Sequence, residues 1–224
     1  EFILAAEKNT DFQDIINNSY LSVCDGYGIR LAAKYLDLAK NKNSFQKFFI
    51  GIKVAWWGIT KNNKKLNIVK EIITGTDLVP EISASVKNKK IFLLGGFEPS
   101  PTQARKILED KYPANQYTSA IPEIDNLLET INQFQPDILF VAMNHPQAQK
   151  WIDQNLTKLP SVKLAIGVGG AFDYISGNVK RAPKKYQGSY EWLFRLMRQP
   201  RKRSKRIYNA VIKFPWKIFV SSIK

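Results

Sequence analysis

Ile91-Phe-Leu-Leu-Gly-Gly96, Ile138-Leu-Phe-Val-Ala-Met143 and Lys163-Leu-Ala-Ile-Gly-Val168 are short apolar runs, and each ends at glycines or at Asn144-His145. Runs of this length, apolar throughout, read as strands buried on both faces. Helical patterns separate them. Residues 101–112 form one, stopped by Pro113; residues 121–134 form a second, stopped by Gln135-Pro136; residues 146–156 form a third. Alternation of strand and helix predicts an α/β fold, a Rossmann-like and largely parallel sheet with helices on both faces. Ligands of such sheets bind beyond the carboxyl ends of the strands. Those ends fall at Gly95-Gly96, Asn144-His145 and Gly169-Gly170, and at Asp25-Gly26 if residues 21–24 form a further strand.

The remaining chain is less regular. Residues 1–17 and 29–39 read as helices, 40–46 as a polar loop, and 68–73 and 78–86 as helices. The apolar stretch 48–57 fits helix and strand equally, because apolar residues fall on every side. Residues 190–199 form a helix candidate that Pro200 interrupts. A basic run, Arg201-Lys-Arg-Ser-Lys-Arg206, follows, then an aromatic-rich stretch to Phe219.

Charge divides the 224 residues sharply. The whole chain carries +15, but residues 179–224 hold 14 basic residues and one acid. The remaining 178 residues hold 20 basic and 18 acidic residues and are nearly neutral. The expected organisation is an α/β domain over 1–178 and a basic, amphipathic helical C-terminal appendage over 179–224. A tail of this charge seeks an anionic partner: a membrane surface, a phosphorylated ligand or nucleic acid. Its interleaved Phe214, Trp216 and Phe219 suit a lipid surface and make nucleic acid the weaker fit. Cys24 is the single cysteine and His145 the single histidine, so no disulfide framework and no Cys/His metal cluster can form within the chain. No apolar run approaches the roughly 20 residues that cross a bilayer.

Several residues carry chemistry or a plain structural role. Asp25 is either a general base at the ligand edge or a helix N-cap. Thr76-Asp77 poses the same choice, with capping favoured. His145 is a polar loop residue or a ligand contact. Gly169-Gly170, with Asp173 after them, allow close backbone approach to a phosphate or simply turn the chain. No Asp-x-Asp pair occurs, so the usual metal-binding carboxylates of a sugar-nucleotide enzyme are not in the sequence, and neither metal nor cofactor is expected.

Ala165-Ile-Gly-Val-Gly-Gly-Ala-Phe-Asp-Tyr-Ile-Ser-Gly177, Arg181-Ala-Pro183, Glu191-Trp-Leu-Phe-Arg-Leu196 and Gln199-Pro-Arg201 together resemble the closing signature of the WecG/TagA/CpsF glycosyltransferases. The resemblance continues through Cys24-Asp-Gly-Tyr-Gly28, Thr74-Gly-Thr-Asp-Leu78, Ile91–Gly96 and Pro136-Asp-Ile-Leu-Phe-Val141. It implies an inverting, metal-independent transfer of a sugar, N-acetylmannosamine or a related hexose, from a UDP-sugar. The implied acceptor is a sugar on a polyprenyl diphosphate at the cytoplasmic face of the membrane, in teichoic acid or surface-polysaccharide synthesis. Asp25 matches the family's catalytic aspartate. Gly26, Thr76, Asp77, Gly95, Gly96, Asn144, His145, Gly169, Gly170 and Asp173 would line the substrates. Arg181, Arg195, Lys202 and Lys205 would hold the donor diphosphate, on an appendage that closes over the site and binds the membrane. The family pattern V-G-x-G-x-P-x-Q-E-x-W appears here as Val141-Ala-Met-Asn-His-Pro-Gln-Ala-Gln-Lys-Trp151, and two family arginines become Lys202 and Lys205. The resemblance also places a first strand, with a threonine, ahead of Glu1. The alternatives are a non-catalytic relative, from the altered 142–149 loop, and a nucleic-acid-binding protein, from the tail alone. Association with further copies of the chain is left open.

Overall fold

The computed structural model describes residues 2–60, 62–180, 197 and 200–223, and only the backbone of 200–203. The chain forms two compact units. One comprises residues 2–21 and 74–181, the other 22–73 and 182–224.

The first unit holds the sheet. Four parallel strands, β1 (Lys90–Gly95), β2 (Gln116–Ala120), β3 (Ile138–Ala142) and β4 (Leu164–Gly167), run in the order β2-β1-β3-β4. Strand alternation sorts the core into two layers. Ile91, Leu93, Ile138 and Phe140 face one way, onto Val79 of α5 (Gly75–Ser85), Ala104 and Leu108 of α6 (Ser100–Lys111) and Phe172 of α9 (Ala171–Ile175). Phe92, Leu94, Leu139 and Val141 face the other way, onto Ile131 of α7 (Leu127–Phe134) and Ala148 of α8 (Gln147–Asn155). The expected largely parallel sheet with helices on both faces is therefore what the chain builds. Two short N-terminal helices, α1 (Phe2–Ala6) and α2 (Thr10–Asn17), complete the unit. The single helix expected over 1–17 is broken because Asn9 caps α2, accepting from the Phe12 N–H at 2.9 Å.

Asp137 fastens the amino edge of the sheet. Its carboxylate accepts from Lys163 Nζ (2.8 Å) and from the Lys90 N–H (3.1 Å). Those bonds, the Lys163 contact foremost, hold its pKa down to about 2.

The second unit contains helices and no strand among its described residues. It contains α3 (Tyr27–Ala39), α4 (Ser44–Ile59), α10 (Pro200–Tyr208), a π-helical turn (Asn209–Lys213) and α11 (Phe214–Ile223). An Asn43–Gln46 capping box starts α4, each side chain bonding the other's backbone N–H. Gly58 lets α3 come close: a Cβ there would lie 3.0 Å from Leu31. Tyr35, Ala39, Val54 and Leu66 form the core, with Ile218 and Phe219 of α11 packed against them. Ser222 joins α11 to both neighbours, through its hydroxyl to Tyr35 (2.8 Å) and through its carbonyl to Lys47 Nζ.

Three expectations change here. Residues 21–24 are not a strand: they pair with none of the four strands, and Leu21 and Val23 are exposed. Residues 68–73 are extended chain, not helix, with the Ile73 N–H donating to Cys24 O at 2.9 Å. The charge of the tail implies that it packs only loosely, yet Ile218 and Phe219 of α11 pack against a core and Phe214 is only 6% exposed. The helix candidate at 190–199 lies almost wholly outside the described residues.

Candidate functional site at the carboxyl edge of the sheet

The connection after β1 runs to β2 on one side, and the later strands lie on the other. The chain thus changes direction between neighbours β1 and β3, the position beyond whose strand ends parallel sheets take their ligands. Gly95 and Gly96 end β1 with φ of +97° and +81°. Gly95 is buried, and a Cβ on it would lie 2.6 Å from the Ala142 carbonyl, which already accepts the Gly96 N–H at 2.8 Å. Only glycine fits this junction of the two central strands.

Asn144 follows β3 and is exposed; His145 is half-buried and its ring stacks on Phe2 (5.4 Å between centroids). Beyond β4, Gly169 has φ +54° and open space where a side chain would stand, and Gly170 is exposed. Asp173 sits one turn further on, in α9. Gly75 opens α5 against this strand end, since a Cβ there would lie 2.6 Å from the Val168 carbonyl. Thr76 and Asp77 are therefore brought to the same edge.

Thr74, rather than Thr76 or Asp77, is the N-cap of α5. Its hydroxyl donates to the Asp77 carboxylate at 2.7 Å and accepts from the Asp77 N–H at 3.3 Å. A carboxylate already occupies this helix start, so the turn favours hydroxyl groups over phosphate. Gln149, in the first turn of α8, is a residue that strand-end reasoning passes over. Its side chain lies against Gly167, where a Cβ would sit 2.5 Å from Nε2, and its buried Oε1 has no hydrogen-bond partner among the described residues. The glycine at 167 is the sequence signal for that close approach.

Asp25, Gly26, Lys202 and Lys205 belong to the helical unit. Gly26, not Asp25, is the N-cap of α3, with no side-chain capping bond. Asp25 stands one residue before it and is exposed. Lys205 is exposed on α10, and Lys202 lies on the same helix. Arg181 and Arg195 lie outside the described residues.

A parallel sheet that changes direction between β1 and β3, with helices on both faces, and a basic C-terminal helix define a Rossmann-like α/β protein. The chain belongs to the glycosyl transferase WecG/TagA/CpsF family, whose profile matches residues 49–224. It is 27% identical over 207 residues to a Bacillus subtilis protein named N-acetylglucosaminyldiphosphoundecaprenol N-acetyl-beta-D-mannosaminyltransferase, covering 89% of this chain and 69% of that one. A Staphylococcus aureus protein of the same name is 31% identical over 132 residues, covering 56% of this chain and 52% of that one. The chain thus spans about half the length of the staphylococcal relative.

Proposed function

We infer that this chain transfers N-acetylmannosamine from a UDP-sugar to N-acetylglucosamine carried on a polyprenyl diphosphate, in the synthesis of a cell-wall polymer, at the membrane surface. The observation that carries the reading is the glycine-lined edge at the β1/β3 change of direction, in a chain of this family. Among the described residues no helix is long and apolar enough to cross a membrane, so attachment would be peripheral.

Inversion needs one displacement. Asp25 takes the proton of the acceptor hydroxyl as that oxygen attacks the anomeric carbon, and UDP leaves from the opposite face. With no Asp-x-Asp pair, the charge growing on the diphosphate falls to cationic side chains, Arg181, Arg195, Lys202 and Lys205. Arginine forks grip phosphate oxygens bidentately; lysines contribute point charge. Thr76 and Asn144 offer hydroxyl and amide groups to the sugars, and Gly169-Gly170 leave room for ligand against backbone.

The test is radiolabelled sugar transfer from UDP-N-acetylmannosamine to a short-chain, water-soluble prenyl-diphosphate N-acetylglucosamine, with UDP binding by calorimetry. Product formation and UDP release in equal amounts are expected. Absence of both transfer and UDP binding would refute the reading.

A further inference from the structure

Helix α4 departs from the pattern of a surface helix. Its inner face, with Val54 and Gly58, is buried on α3. Its outer face carries Phe45, Phe48, Phe49, Ile52, Trp56 and Ile59, spaced three, four or seven apart, so they form one stripe along all four turns. Every one is exposed, from 52% at Phe49 to 73% at Phe45. A helix apolar on both faces, with one face uncovered, has an apolar surface left to bury.

The stripe does not end with α4. Phe45 packs on Phe49 (4.8 Å between centroids), Phe49 on Phe48 (5.6 Å), Phe48 on Phe219 of α11 (6.4 Å) and Phe219 on Trp216 (6.0 Å). Five rings therefore join the outer face of α4 to α11. Beside them an open groove of about 390 Å³ is lined by Lys42, Phe45, Gln46, Phe49, Ile50 and Lys53. Two ammonium groups thus flank the aromatic rings.

We propose that α4 is a membrane-seating helix, lying flat in the interface of an anionic bilayer with its phenylalanines, Ile52 and Trp56 among the acyl chains and Lys42 and Lys53 on lipid phosphates. Charge selects this occupant. Residues 22–73 and 182–224 together hold 22 basic residues and four acids. A second copy would set two such surfaces against each other, whereas anionic headgroups neutralise them. Nucleic acid would meet the charge but leave Ile52 and Ile59 without an apolar partner. At 16 residues, roughly 24 Å, α4 is too short to span and of a length to lie in the interface. This assignment moves insertion from the basic tail to a helix ahead of the sheet. It depends on the proposed function only for the reason a membrane is visited.

Co-sedimentation of the whole chain with phosphatidylglycerol/phosphatidylcholine vesicles tests it, at 0.15 M and 1 M salt. The wild type should bind at low salt and keep part of that binding at high salt, because inserted side chains are not screened. Phe49→Ser/Trp56→Ser should weaken binding at least about tenfold and abolish the salt-resistant part. Circular dichroism checks its fold, with Phe45→Ser/Ile52→Ser as the second pair should the first unfold. Transfer to the water-soluble acceptor should be kept, which separates seating from chemistry. A wild type with no transfer at all would refute the function while the vesicle data still decide this proposal. Binding by both double variants equal to wild type would overturn it. So would complete loss of wild-type binding at 1 M salt, or a dimer that the substitutions dissociate without changing vesicle binding.

Discussion

The two units are built on opposite principles. The sheet unit hides its apolar residues between strand and helix on two faces and carries 12 basic residues against 14 acids. The helical unit buries a smaller core, leaves a full apolar stripe uncovered, and concentrates the positive charge of the chain. The one resembles a binding fold complete in itself, the other a surface that needs a second phase. Net charge along the sequence pointed only to the tail; the fold adds residues 22–73 to the same cationic body.

The largest effect should come from Asp25, which lies in the helical unit. Asp25→Asn should leave UDP affinity within a few-fold of wild type and cut transfer by roughly 10²–10⁴-fold, the scale of a lost general base. Calorimetry and single-turnover transfer read the two quantities. Retained transfer would remove Asp25 from the chemistry.

Next comes the tail's part in that unit's core. Phe214 is buried and its ring lies 3.9 Å from where a Gly28 Cβ would stand. Phe214→Ala should cost about 3 kcal/mol in urea unfolding, as for a large core side chain. A cost under about 0.5 kcal/mol would return the tail to a loose appendage. In the sheet unit, Gly95→Ala forces a side chain to φ +97° and against the Ala142 carbonyl. A loss of about 2 kcal/mol is expected, and UDP binding should weaken with it, because the site's floor moves. Loss of stability alone would detach Gly95 from the ligand edge.

These expectations show where the sequence was informative. β1, β3 and β4 were legible because each is an apolar run, two of them central and buried on both faces. β2, Gln116–Ala120, escaped notice because it is an edge strand of polar composition, Gln-Tyr-Thr-Ser-Ala, with only Tyr117 and Ala120 buried. The tetrad at 21–24 had strand composition but no neighbouring strand. α4 gave no clear period for the reason that makes it interesting: core and outer faces are both apolar, so the alternation that marks a half-buried helix is erased. The basic run at 201–206 and the aromatic stretch after it were legible, but the aromatics read as lipid-facing, and the packing of Phe214, Ile218 and Phe219 of α11 needs the fold. At the site, the strand-end glycines were readable from position alone. The orphaned Oε1 of Gln149 was not, because it depends on the approach of α8 to Gly167 across β4.

The smallest effect concerns the amino edge of the sheet, opposite the site. Asp137 accepts from Lys163 and from the Lys90 N–H, and Lys89 lies 3.6 Å from the same carboxylate. The folded state holds its pKa at about 2, against an ordinary value of 3.8. A carboxylate whose pKa falls on folding stabilises the fold fully above the unfolded value, and that contribution disappears as pH drops through the folded one. Asp137 therefore contributes at neutral pH and loses its contribution between about pH 4 and pH 2. The carboxylate is partly exposed and its lysines more so, so screening keeps the total near 1 kcal/mol. Asp137→Asn should lower stability by about that amount at pH 7 and by nothing measurable at pH 2. The pH 7 difference should shrink as salt is raised to 1 M. Urea unfolding of both proteins at the two pH values measures it. A loss that persists unchanged at pH 2 would show that the geometry of the Lys90 hydrogen bond, and not the charge, holds β1 and β4 to this end of β3.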